Sequence, residues 1–234
     1  MNRTTVKAIA VAAVTLIAVL GVAGQEAKAP YPKMAPLDQY LMADRNAEIA
    51  LARSAAPASI SRDATVAVLG PHGYETAVEG KNGFVCIVER AWMNRFDHPE
   101  YWNPKNRSPV CFNPPAARSV LPITYLRTKL VLAGKSKAEV SDSVNAAFAK
   151  KELPAVEPGA MCYMMSKYAY LTDDDGHNLA HLMFYTGTVD GAALGAGLPG
   201  SPVIVFKADP ESVGGFLVGT GMWSDGTPAP LMSE

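Results

Sequence analysis

The stretch Ala64-Thr-Val-Ala-Val-Leu69, Gly70-Pro-His-Gly73, Tyr74-Glu-Thr-Ala-Val-Glu79, Gly80-Lys-Asn-Gly83, Phe84-Val-Cys-Ile-Val-Glu89 decides the fold class. Three short runs rich in β-branched and aromatic residues are separated by two Gly-containing tetrads. Gly and Asn accept the backbone angles that tight turns demand, so the pattern predicts a three-stranded antiparallel meander. Outward from it, Leu37 to Ser54 has no Gly or Pro and is rich in helix formers, predicting a helix. Residues 91–115, with two Trp and several Pro, Asn and Asp, predict an aromatic loop pinned to the body by Trp92, Phe96, Tyr101 and Trp102. Pro122 opens a helix that Gly134 stops. Ser136-Lys-Ala-Glu139 is a capping box, and Val140, Val144, Ala147 and Phe148 follow at helical spacing until Pro154.

Strand patterns return at Met161–Lys167, His181–Thr186, Pro202–Lys207 and Phe216–Met222, with a Gly/Ala-rich stretch at 190–200 between the middle pair. Helices and strands come in runs rather than in strict alternation. That order predicts an α+β fold: one domain, an antiparallel sheet of six to seven strands, and two to three packed helices. No repeat or linker divides residues 37–234.

The N-terminus reads as an address. Arg3 and Lys7 precede an uncharged apolar run from Ala8 to Gly24, and Ala27-Lys28-Ala29 follows with small residues at both outer positions. A basic start, an apolar centre and a small-residue site describe a signal peptide over residues 1–29. Pro30 disfavours cleavage just before it, so a cut nearer Gly24 is the alternative. The apolar run is short and Ala-rich for a bilayer span. Residues 30–36, with three prolines, form an extended leader to the globular part. The chain is expected in the periplasm or outside the cell, with no membrane segment after cleavage.

Of 234 residues, 49% are hydrophobic and only 18% charged, enough apolar content for a core and too little charge for a disordered polyelectrolyte. A net charge of −1 argues against nucleic acid as the partner. Export permits a disulfide among Cys86, Cys111 and Cys162. Cys86–Cys111 closes the shortest loop and is favoured, against the alternative of three reduced thiols. No CxxC pair supports a redox or zinc motif.

Four chemistries have candidate residues. Asp175, His177 and His181 carry donors for a divalent metal, and the hydrolase reading rests on them; no H-E-x-x-H accompanies them, and a plain acidic turn explains the run as well. Met161, Cys162, Met164, Met165 and Met183 offer soft ligands for copper, but Met is ordinary core filler in strands. Ser201 and Ser224 lack the nucleophile-elbow context, and the Gly-rich stretch contains no phosphate loop. Glu89, Arg90 and Trp92, at the end of the third strand, put a carboxylate and a guanidinium beside an aromatic ring, which suits a ligand pocket. No cofactor is implied by any motif.

Three stretches, Gly73–Arg90, Leu198–Pro202 and Trp223–Pro228, resemble those of uncharacterised exported bacterial proteins. The resemblance spans most of the chain after residue 29 and implies a bacterial envelope setting and a single domain. It brings no activity and no catalytic residues. The leading expectation is therefore an exported, non-enzymatic domain that binds a small molecule or an envelope partner. The alternatives are the metal-assisted hydrolase and a purely structural envelope protein.

Overall fold

The structure, a computed structural model, describes residues 30–173, 179–207 and 213–230. The leader over residues 1–29, and Asp175 and His177, lie outside them. The fold is α+β, a single eight-stranded sheet in the order β2-β1-β3-β4-β5-β6-β8-β7. Strands β1 (Thr65–Gly70), β2 (Gly73–Val78) and β3 (Val85–Glu89) come from the quoted stretch, and β4 is Ser108–Phe112. The far half comprises β5 (Met161–Met164), β6 (His181–Tyr185), β7 (Val203–Phe206) and β8 (Gly215–Gly219). Five α-helices accompany them among the described residues: α1 (Arg45–Arg53), α2 (Ala58–Ser61), α3 (Pro114–Ser119), α4 (Leu121–Leu132) and α5 (Lys137–Ala149).

Two expectations are corrected. The sheet is mixed, because β3 pairs with β1 in parallel, while every other neighbouring pair is antiparallel. The predicted meander is thus a hairpin, β1–β2, plus a strand that crosses to the far side of β1. The second tetrad is a crossing rather than a hairpin turn. The Lys81 and Asn82 amides donate to the Asp63 carbonyl, and the Asn82 side chain reaches the Ile60 carbonyl. At Gly80 the chain passes so close to the start of β1 that a Cβ would lie 2.1 Å from the Thr65 nitrogen and 2.4 Å from the Ala64 carbonyl carbon. Only hydrogen fits there. Gly80→Ala is expected to destabilise the fold by about 3 kcal/mol, since backbone rather than a flexible side chain must move; a urea midpoint unchanged from the parent would refute the close crossing.

The helix expected over Leu37–Ser54 is the second correction. It divides into a 3-10 turn at Leu37–Gln39 and α1, with Asp44 capping α1 by accepting from the Asn46 amide. Tyr40, between them, is fully buried, and its hydroxyl donates to the Trp102 carbonyl at 2.8 Å. Burying that ring forbids a continuous surface helix.

The capping box of α5 forms as its sequence pattern predicts, Ser136 and Glu139 each satisfying the other's backbone amide. Hydrogen bonds from Lys135 and from Ser136 pull the Glu139 pKa down to about 2. The 30–36 leader has no regular helix or strand, yet Tyr31, Met34 and Ala35 pack against the core around Trp92 and Tyr101.

Strand alternation sorts the core into layers. Cys86 and Val88 face α1 and the turn after it, where Ala52, Ala55 and Ala56 close against them. Ile87, Val110, Phe112 and Cys162 face the opposite side, under Ala116, Val120 and Leu121 of the α3–α4 segment. Cys86 and Cys111 stand directly opposite each other on β3 and β4 and are joined by a disulfide, both buried. Among the described residues, no helix is long and apolar enough to cross a membrane.

Candidate functional site

The sheet is wider than its helical cover. Helix α4 lies against β2 and the 3-10 turn at Ala91–Met93, and α3 against β4 and β5, whereas no described helix makes a substantial contact with β6, β7 or β8. Where the cover stops, a cavity of about 290 Å³ opens between the sheet, α4 and residues 93–95. Its sheet wall follows from register. Glu89 pairs with Ser108, Met164 with His181, and Met183 with Leu217, so their side chains lie on the face that looks toward α4.

The wall is apolar at the far strands, where Met164, Met183, Phe206 and Leu217 line it. It becomes polar toward β3, where Glu89, Ser108, Thr124, Arg127, Asn94 and Asn106 contribute. The Thr124 hydroxyl donates to Glu89 Oε1 at 2.9 Å. The Arg127 guanidinium lies 4.2 Å from the centre of the Phe96 ring and donates to the Asn94 carbonyl at 2.7 Å. Stacking on an aromatic face holds a guanidinium in one orientation. The arrangement has an apolar pocket with a few fixed polar groups, the usual build of a small-molecule site.

The three sequence candidates separate here. Glu89 faces the cavity. Arg90, the next residue along, also belongs to the lining, but its guanidinium turns away toward Glu48 of α1. There it is fully buried, bonded to the Tyr40 and Val88 carbonyls and to Glu48 at 2.8 Å. Trp92 is fully buried, its indole N–H donating to the Thr128 hydroxyl at 3.0 Å. Arg90 and Trp92 therefore brace the strand end that positions Glu89. Thr124 and Arg127 had no reading in the sequence, although a signal exists. Thr124, Arg127 and Thr128 recur at helical spacing among the buried residues of α4, polar where a helix facing the core should be apolar.

Of the metal candidates, His181 is on β6, buried, with Nδ1 at 2.6 Å from the Leu179 carbonyl oxygen. A carbonyl only accepts, so Nδ1 carries the proton. Burial lowers the imidazole pKa and keeps the ring neutral. Among the described residues no group of three or more His, Cys, Asp and Glu side chains is placed to hold a metal ion. Asp173, at the start of the acidic run, serves as a structural anchor. Its carboxylate accepts from the Tyr170 and Tyr31 hydroxyls, Lys105 and Asn103, and these bonds hold its pKa far below the usual carboxylate range.

Cys162 lies on the same face of the sheet, paired with Met183, its Sγ 3.3 Å from the Tyr185 hydroxyl. Burial pushes the thiol up to about 12. A thiol so far from ionising neither binds soft metals nor attacks electrophiles. A thiol reagent at pH 8 is expected to label no cysteine in the folded chain and one after denaturation without reductant; labelling of the folded chain at the rate of a free thiol would contradict this placement.

A second depression of about 800 Å³ lies between residues 31–34, residues 97–102 and the α4–α5 turn. It is larger, and Lys33, Lys135 and Ser136 of its lining are exposed. Comparison with family models, with curated proteins and with solved structures finds no match for this chain.

Proposed function

We propose that this chain is an exported domain that binds a small molecule, without catalysis, in the cavity between the sheet and α4. The observation that carries the reading is the cavity itself: an apolar recess of about 290 Å³ with Glu89, Thr124 and Arg127 fixed at one end. A recess of that size holds a molecule of modest dimensions, smaller than a nucleotide cofactor. The Cys86–Cys111 disulfide supports an oxidising compartment, where such bonds persist.

Leu217, half-buried on β8, points into this recess, so Leu217→Trp fills it. A thermal-shift screen of small, mainly apolar molecules is expected to give stabilising compounds. Their affinity should fall at least about tenfold in Leu217→Trp, a change of roughly 1.4 kcal/mol. Met183→Trp fills the same space from the neighbouring strand and guards against a folding defect in the first variant. An empty screen, or compounds that bind both filled variants as well as the parent, would overturn the reading.

A further inference from the structure

Resting on the reading of the recess as a small-molecule site, we propose the class of ligand it takes: an apolar body ended by a single negative charge, as in a small amphipathic carboxylate. Only groups that solvent reaches can meet a ligand, and in this lining they divide by place. Met164, Met183, Leu217 and Phe206 are half-buried and form the apolar wall. Arg95 and Lys207 are exposed and belong to the same lining. Lys207 directly follows Phe206 at the end of β7, so a cation adjoins the apolar wall. Glu89 is the one carboxylate of the lining among the described residues, half-buried and accepting from the Thr124 hydroxyl. It is on β3, with β4, β5, β6 and β8 between it and β7. A negative head beside Lys207 therefore keeps its distance from Glu89 along the sheet.

The balance of charge points the same way. Arg90, Arg95, Arg127 and Lys207 line the recess against Glu89 alone. Two of these cations bring a carboxylate from outside the lining, Glu48 on Arg90 and Asp97 on Arg95. Among the described residues one positive charge is left in excess, and Lys207 has no carboxylate partner among them. An ammonium without a counter-ion at the edge of an apolar recess attracts an anion there, and the low-dielectric wall strengthens the attraction. One negative charge cancels the excess, whereas a second has no cation left to meet and still feels Glu89. A cationic head adds to the excess, and a neutral head leaves it standing. The apolar body displaces water from Met183, Leu217 and Phe206 and supplies most of the affinity, while the head supplies the selection.

The test uses four probes with one body: 4-butylbenzoate, 4-butylbenzamide, 4-butylbenzylamine and butylbenzene, titrated into the full chain by calorimetry at neutral pH. In about 0.02 M salt the benzoate is expected to bind at least about fivefold more tightly than the amide and about tenfold more tightly than the amine. In about 0.5 M salt its lead over the amide should shrink below about twofold, because Arg95 and Lys207 are exposed. Lys207→Gln should remove the lead at low salt and Lys207→Glu should reverse it, both leaving butylbenzene affinity within about twofold. Both substitutions are at an exposed position, where the urea midpoint should not move. The assignment is overturned if the amide or the amine matches the benzoate, or if the benzoate keeps its full lead in Lys207→Glu. Butylbenzene separates the two layers: if it binds and the benzoate is no better, the head assignment alone fails, whereas if none of the four binds, the cavity reading fails with it.

Discussion

Arg90→Met is expected to lower the unfolding free energy by about 3–5 kcal/mol, the usual cost of leaving one member of a buried ion pair without its partner. Both side chains of the Glu48–Arg90 pair are almost completely shielded from solvent. Glu48 also accepts from the Leu69 amide, and Arg90 spans the Tyr40 and Val88 carbonyls. The pair thus ties α1 to β1, to β3 and to the turn that carries Tyr40. Removing Arg90 strands the Glu48 carboxylate in a low-dielectric interior. The double variant Glu48→Met/Arg90→Met should recover part of the loss, because no charge is then buried, but not all of it, because the Leu69 amide and two carbonyls lose partners. Urea unfolding followed by tryptophan fluorescence measures both. A loss below about 1 kcal/mol in Arg90→Met would show that the pair is hydrated in solution.

Replacing both cysteines, Cys86→Ala with Cys111→Ala, is expected to cost about 3 kcal/mol, from the chain entropy released when a loop with a sequence separation of 25 is opened. The consequence reaches the site. The loop so closed carries Met93, Asn94 and Asn106, all in the cavity lining. Ligand affinity should therefore fall together with the unfolding midpoint. Denaturant curves of the parent, with and without reductant present during unfolding, should differ in the same direction. Identical curves for the parent and the double variant would mean that β3–β4 pairing alone fixes the loop.

What was readable in the sequence is what local chemistry controls. The α5 capping box, the Gly134 stop and the β1–β2 hairpin each depend on residues within a few positions of one another. The far strands were placed within a few residues, since β-branched and aromatic runs bounded by Gly and Pro leave little choice. Strand β4 was missed because Pro109 interrupts its run and Asn and Pro surround it. Its place in the sheet comes from β3 and the disulfide, partners distant in sequence. The parallel pairing of β1 with β3 escaped for the same reason, since two Gly-rich tetrads look alike whether the chain turns back or crosses. At the site, Glu89 was legible as a charge at a strand end. Its neighbour Arg90 shares the lining, while alternation along the strand carries its guanidinium away from the recess to Glu48. Thr124 and Arg127 join Glu89 only through the packing of α4 on the sheet, and Asn106 only through the pairing of β3 with β4, contacts between segments distant in sequence.

The recess under α4, and not the groove beside residues 31–34, is the expected seat of the ligand. A titration of the isotope-labelled chain with the tightest compound from the thermal-shift screen, followed by amide chemical shifts, tests it most directly. Binding in the recess should give saturable shifts clustered at Ser108, Thr124, Met183 and Leu217, abolished in Leu217→Trp. Shifts confined to Lys33, His98 and Lys135 instead, or unchanged by the filled cavity, would contradict it.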